Sequence, residues 1–163
     1  MGLKYGRGIR PPRGLKLGRG MDEVKLVKRN EVDLYTLLTT ILNQPGIEEC
    51  GAIVTFTGIV RGVGHDNSKV LELQYEADEE NAVNVLKSIR RKILEENPGV
   101  KQLLIYHVVD NLKPKDKILF ILAAGRGRRD AFKAVEDALE AVKTKVPIWK
   151  KELTEKGAYW VKG

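Results

Sequence analysis

Two apolar strand patterns, KQLLIYHVV (101–109) and DKILFILAA (116–124), are joined by a short turn around Lys113-Pro114. A link of that length closes a hairpin, whereas a parallel crossover needs a dozen or more residues. CGAIVTFTGIVR (50–61) is β-branched and alternating, which predicts another strand. VLELQYE (70–76) follows the polar, glycine-containing loop GVGHDNSK (62–69) and is expected as its hairpin partner. EVKLVK (23–28) also alternates, and short extended pieces at 146–153 and 158–162 finish the chain.

Helical patterns separate these strands. Asn30 is placed to cap a helix with Leu34, Leu37, Leu38, Ile41 and Leu42 on one face, stopped by QPGI (44–47). Asp78, Glu79 and Glu80 open a second helix with Ala82, Leu86, Ile89 and Ile93 inward, ended by NPG (97–99). Its acids come first and Arg90, Arg91 and Lys92 come late, as the helix dipole favours. A third helix is predicted from about Asp130, its N-cap, to Thr144, with the stripe Phe132, Val135, Leu139 and Val142. Strands in hairpin-like pairs with helices between them predict an α+β fold: a largely antiparallel sheet with three main helices packed on it, in a single domain.

Composition sets the remaining bounds. At 163 residues, 42% apolar and 31% charged, the chain suits one globular domain with a real core. The net charge of +7 is misleading, because residues 1–20 hold Lys4, Arg7, Arg10, Arg13, Lys16 and Arg19 and no acid, leaving +7 − 6 = +1 for the rest. We divide the chain into a flexible basic extension, 1–21, rich in glycine and proline, and a folded domain, 22–163. A nucleic-acid-binding module using that arm and an arginine loop is the competing reading. A near-neutral body and 6% aromatic residues without a stacking pattern argue against it. The single cysteine, Cys50, excludes an internal disulfide and a CxxC motif, and is expected to be buried and inert. His65 and His107 are far apart and lack ligand spacing, so no metal and no cofactor are expected. No apolar run is long enough for a membrane span, and the basic N-terminus lacks the apolar stretch of a secretory signal; a cytoplasmic protein is expected.

Chemistry concentrates at two places. AAGRGRRDAF (123–132) is a strand-to-helix junction where Arg126, Arg128 and Arg129 surround a helix N-terminus, a combination suited to a phosphate or to plain solvation. It is no dinucleotide fingerprint, since the third glycine is missing. KTKVPIWKKE (143–152) ends the same helix with four lysines around a proline and a tryptophan. At about 100° per residue, Lys143 falls about 60° from the centre of the predicted stripe and is expected to be semi-buried. Pro147 turns the chain extended, after which Ile148, Lys150 and Glu152 share one side and Trp149, Lys151 and Leu153 the other. Lys145 and Lys151 read as solvated lysines, Lys143 and Lys150 as functional ones.

KTKVPIWKKE resembles the signature K-T-x-x-P-x-W-K-x-E of the MoaE family, the large catalytic subunits of molybdopterin synthase, with all six defined positions filled. GAIVTFTGIVR (51–61) resembles that family's strand ending in G-x-V-R. YEADEENA (75–82) resembles its approach to the second helix, RRDAF (128–132) its R-x-x-A-F helix start, and YWVKG (159–163) its closing strand. The resemblance runs in order from about residue 23 to 163. It implies that 22–163 is a catalytic domain converting cyclic pyranopterin monophosphate to molybdopterin. Sulfur would arrive as a thiocarboxylate on the C-terminal Gly-Gly of a small ubiquitin-like partner. The assembly would be a heterotetramer built on a homodimer of large subunits. It implies Lys143 and Lys150 as the catalytic lysines, also binding substrate, with Arg61 and Arg128 holding the phosphate and Arg126 and Glu152 as auxiliaries. Lys143 is then expected to do acid–base or nucleophilic work, and Lys150 to anchor substrate and transfer protons. Gly127 departs from the pattern, since many relatives carry histidine there; Arg126 and His65 are the candidates to replace it.

Overall fold

A computed structural model describes residues 22–161; the basic extension, 1–21, lies outside the described residues. The elements run β1 (Val24–Val27), α1 (Leu34–Leu42), β2 (Ala52–Ile59), β3 (Val70–Ala77), α2 (Glu79–Glu96), β4 (Val100–Val108), β5 (Asn111–Leu112), β6 (Lys117–Gly125), α3 (Arg128–Lys145), β7 (Ile148–Thr154) and β8 (Gly157–Val161). The fold is α+β with three main helices, and every strand pair but β1–β4 is antiparallel. The strands divide between two sheets, ordered β1-β4-β6-β2 and β5-β3-β7-β8.

The predicted hairpin of β4 with β6 forms the centre of the first sheet, in register from Leu103 opposite Ala123 to His107 opposite Leu119. Both faces of this pair are covered. Leu103, Ile105, Leu119 and Ile121 pack with α2 and α3, while Leu104, Tyr106, Phe120 and Leu122 pack with α1 and with Val70, Leu73 and Leu112 of the second sheet. Leu103, Leu104, Ile105, Ile121 and Leu122 are fully buried. Burial of side chains this size stabilises the fold by roughly 1.5–3 kcal/mol apiece.

Four local expectations change. The segments 50–61 and 70–76 do not pair with each other: β2 lies against β6, and β3 lies against β7. The apolar β2 completes a sheet covered on both faces, whereas β3 alternates Glu72 and Glu76 with buried Val70 and Leu73, as suits a sheet with one wet face. Asn30 adopts a positive φ of 60° in the turn before α1, and Asp33 caps that helix by accepting from the Thr36 N–H at 2.7 Å. The N-cap of α3 is Gly127, and Asp130 sits in the first turn, where its charge still suits the helix dipole. The buried stripe of α3 is Ala131, Ala134, Val135, Ala138 and Val142, with Phe132 exposed at 62%. Alanines let the helix axis approach the sheet closely, so the bulky Phe132 is rotated outward and the stripe's centre shifts with it.

That close approach is testable. Ala138 is fully buried, so Ala138→Leu overpacks the helix–sheet contact and is expected to cost about 1–3 kcal/mol in denaturant unfolding. Glu136→Leu, on the exposed side of the same turn, is expected to change stability by no more than about 0.5 kcal/mol.

Candidate functional site

Three chain segments bring cations to one place. Lys143 lies in the last turn of α3. Pro147 disfavours helix at Val146, which is extended at φ −78° and ψ 130°, and the chain turns directly into β7. The corner is tied down by the Asp78 N–H donating to the Pro147 carbonyl at 3.2 Å, which joins it to the N-cap of α2. Lys150 then falls on the inward face of β7, opposite Tyr75 of β3 and Val161 of β8. Arg61 emerges just past β2, where Val60 exchanges backbone hydrogen bonds with Lys115 and Asp116 at 2.9 Å.

Lys150 is half-buried, and its ammonium is held below the ordinary lysine range. Burial is the largest cause; the charges of Lys143 and Arg61 push the same way, and the Glu152 carboxylate opposes them. Three cations thus act on one another with a single carboxylate among them, an arrangement that favours an anionic ligand. Glu152 is buried, two residues along the same strand face, and lines a cavity of about 420 Å³ with His65, Asp66, Tyr159, Trp160 and Val161. The backbone of the 62–69 loop lies on this carboxylate: a Cβ at Gly64 would come within 2.5 Å of Glu152 Oε1.

Behind Lys150 stands a pair that the motif reading missed. The ring of Tyr75 meets that of His107 edge-on, with centroids 5.4 Å apart. His107 Nδ1 lies 2.9 Å from the Val108 carbonyl, and burial, aided by the Lys150 charge, pushes the imidazole down to about 4. A carbonyl only accepts, so Nδ1 carries the hydrogen and Nε2 the lone pair. Local ligand spacing gave no sign of this residue. The signal was strand parity: His107 alternates with Leu103 and Ile105, so it belongs to a buried face.

Lys143 is exposed, contrary to the semi-burial expected of it, because the alanine stripe of α3 turns it away from the sheet. Lys145 is exposed as expected, while Lys151 is half-buried with its ammonium 5.8 Å from the Trp160 ring centroid. Arg128 does not join the cluster. It begins α3, 15 residues before Lys143, which puts about 22 Å of helix between them. Arg126 is at that far end too, 3.5 Å from Glu49, and so does not stand in for a histidine beside the lysines. His65 lies on the Glu152 cavity. Cys50 is half-buried at the opposite end of β2 from Arg61, and burial pushes its thiol up. Among the described residues, no group of three or more His, Cys, Asp or Glu could hold a metal ion, and no helix is long and apolar enough to cross a membrane.

The neutral state of His107 has a consequence for stability. An unfolded histidine takes up a proton near pH 6.5, which the folded one resists until about pH 4. The unfolded state therefore binds more protons across this window, and stability is lost as pH falls from 6.5 toward 4, by roughly 3 kcal/mol in full. Urea midpoints measured across that range should decline in the wild type, and His107→Phe should remove most of the decline above pH 5.

Comparison with known proteins identifies the family. Residues 27–145 match the family model described as MoaE protein. The molybdopterin synthase catalytic subunit of Pyrococcus abyssi is 32% identical over 145 residues, covering 88% of this chain and 94% of that protein. That of Drosophila willistoni is 36% identical over 135 residues, 83% of this chain, which spans only 35% of the relative's length. The crystal structure of molybdopterin synthase from Staphylococcus aureus superimposes with a TM-score of 0.77 at 33% identity, covering 87% of this chain and 98% of the other. The lysine signature, the order of the elements and these likenesses agree: the chain belongs to the MoaE family.

Proposed function

We propose that the chain is the catalytic subunit of a cytoplasmic molybdopterin synthase, a sulfurtransferase. It would move sulfur from the C-terminal thiocarboxylate of a small ubiquitin-like partner to cyclic pyranopterin monophosphate, forming the dithiolene of molybdopterin. The observation that carries this reading is the convergence of Arg61 and Lys143, from two other segments, on the half-buried Lys150 of β7. A phosphate-bearing pterin and an incoming thiocarboxylate are both anions, and this cluster is short of negative charge.

Roles follow from burial. Lys150 is the lysine whose ammonium is already disfavoured, so it is the one to exchange protons with substrate or attack the partner's carbonyl. Lys143 and Arg61 are exposed cations that hold the phosphate and offset developing negative charge. This reverses the division of labour between the lysines expected from the helical pattern. Glu152 limits the mutual repulsion, and the cavity it lines, two residues along the strand from Lys150, would take the partner's tail. A Gly-Gly end suits a narrow path because it carries no side chains. Sulfur delivered by a partner also accounts for a site without a reactive thiol, since Cys50 lies elsewhere and is a poor thiolate.

Arg128 enters through assembly. At about 22 Å from Lys143 along one helix, it serves the phosphate from a second copy of the chain, consistent with a homodimer inside a heterotetramer. A catalytic enzyme also fits better than a nucleic-acid-binding module, because the cations gather around one half-buried lysine rather than along a broad open face.

The test is single-turnover conversion of cyclic pterin by thiocarboxylated partner, with folding checked for each variant. Lys150→Ala and Lys150→Arg should both fall by about 10²–10⁴-fold, since arginine keeps the charge and cannot release the proton. Lys143→Ala and Arg61→Ala should weaken substrate binding by about 10- to 100-fold, with Lys143→Arg restoring much of it. Lys145→Ala should stay near wild type. Mixing the inactive Lys150→Ala and Arg128→Ala chains should restore part of the rate if Arg128 acts across the dimer. Full activity in Lys150→Ala would overturn the proposal.

A further inference from the structure

Glu152 is only 9% exposed, yet its carboxylate makes no hydrogen bond and no ion pair among the described residues. Its neighbours offer it no donor. Leu73 and Tyr159 face it across the sheet, and the Tyr159 hydroxyl is engaged with Thr154 Oγ1 at 3.4 Å. The Gly64 backbone covers Oε1 so closely that a Cβ there would come within 2.5 Å, but the Gly64 N–H donates to the Ser68 carbonyl at 2.9 Å. Among the described residues, no side-chain nitrogen or oxygen sealed from solvent lacks a partner. The unpartnered carboxylate therefore opens onto the cavity of about 420 Å³ that it lines. A buried carboxylate without a donor costs stability, which points to a donor brought by a ligand.

We propose that Glu152 anchors the partner's tail: its carboxylate accepts the backbone N–H of the penultimate glycine and so sets the terminal thiocarboxylate beside Lys150. The inference rests on the synthase reading. Lys150 and Glu152 share one face of β7, two residues or about 6.6 Å apart. In an extended tail the penultimate N–H and the terminal carboxyl group are separated by nearly the same two-residue step. Charge fixes the direction of entry. The anionic end is repelled by Glu152 and attracted by Lys150, whereas an amide N–H, as a donor, is drawn to the carboxylate. Such a charge-assisted bond is roughly twice as strong as a neutral one. The pterin ring also carries N–H donors, but the two-residue spacing from Lys150 favours the tail.

A double-mutant cycle of binding tests this, read by calorimetry with the full chain. The probe is a semisynthetic small subunit ending in Gly-Gly with an ordinary carboxylate, and a second form in which an ester oxygen replaces the penultimate N–H. The ester should bind the wild-type chain about 10- to 100-fold more weakly, the loss of a hydrogen bond to a charged group. Glu152→Leu should bind both forms equally, and about as weakly as the wild type binds the ester. In Glu152→Gln, whose amide oxygen still accepts, the ester loss should shrink to about 2- to 10-fold. Melting curves exclude unfolded variants, and if Glu152→Leu does not fold, Glu152→Gln decides the matter. An ester loss equal in the wild type and the folded Glu152 variants overturns the proposal. So does an unchanged partner Kd in Glu152→Gln with a raised KM for the cyclic pterin, which assigns the carboxylate to the pterin ring. The synthase reading is judged separately, by turnover in Lys150→Ala, so Gly-Gly-dependent binding with equal ester losses sinks the role of Glu152 alone.

Discussion

The pairing of β4 with β6 holds the rest of the molecule in place. Seven residue pairs from Val100–Gly125 to His107–Leu119 keep it in register, and it is buried on both faces. One face fixes α2 and α3, and the other receives α1 and the edge of the second sheet. Because a one-residue slip would exchange the two faces, this register decides which side chains meet which helices. It also decides where His107 stands: at the end of β4, where the first sheet gives way to the second.

The second determinant is the corner at Pro147. It ends α3 and starts β7 with almost no intervening chain, so Lys143 and Lys150 sit on consecutive elements that face the same space. Gathering like charges costs stability, and the arrangement persists because the surrounding core is large and Glu152 offsets part of the repulsion. The two lysines then differ by environment alone. Lys143 is open to solvent, while Lys150 is half-enclosed and burial holds its ammonium below the ordinary lysine range. Under the proposed function, the same segment would supply both electrostatic binding and proton transfer.

Much of this was legible in the chain. The spacing K-T-x-x-P-x-W-K-x-E located the corner, and alternation after Pro147 put Lys150 and Glu152 on the side opposite Trp149, which the structure shows to be the inward one. The β4–β6 hairpin followed from its short link. What failed was hydrophobic weighting on α3: the predicted stripe includes Phe132, which is exposed, while Leu139 packs against the core only partly buried. Small residues at 131, 134 and 138 make the tighter contact, and this rotation is what exposes Lys143. Pairing across the 62–69 loop failed for a different reason. Sequence adjacency favours a hairpin, but β2 pairs instead with β6 at the edge of the first sheet. The far-end position of Arg128 was implicit in helix length all along, since residues 15 apart cannot meet on one helix. The surroundings of His107 were hidden because Tyr75, whose ring meets it, comes from another sheet.

A structure of the chain bound to its small partner and to the pterin tests the central claim most directly. The account predicts the partner's terminal glycine carbonyl against Lys150, with the pterin phosphate contacted by Arg61 and Lys143 of one copy and Arg128 of another. A phosphate or partner terminus bound away from Lys150, for example in the groove between α2 and α3, would contradict it.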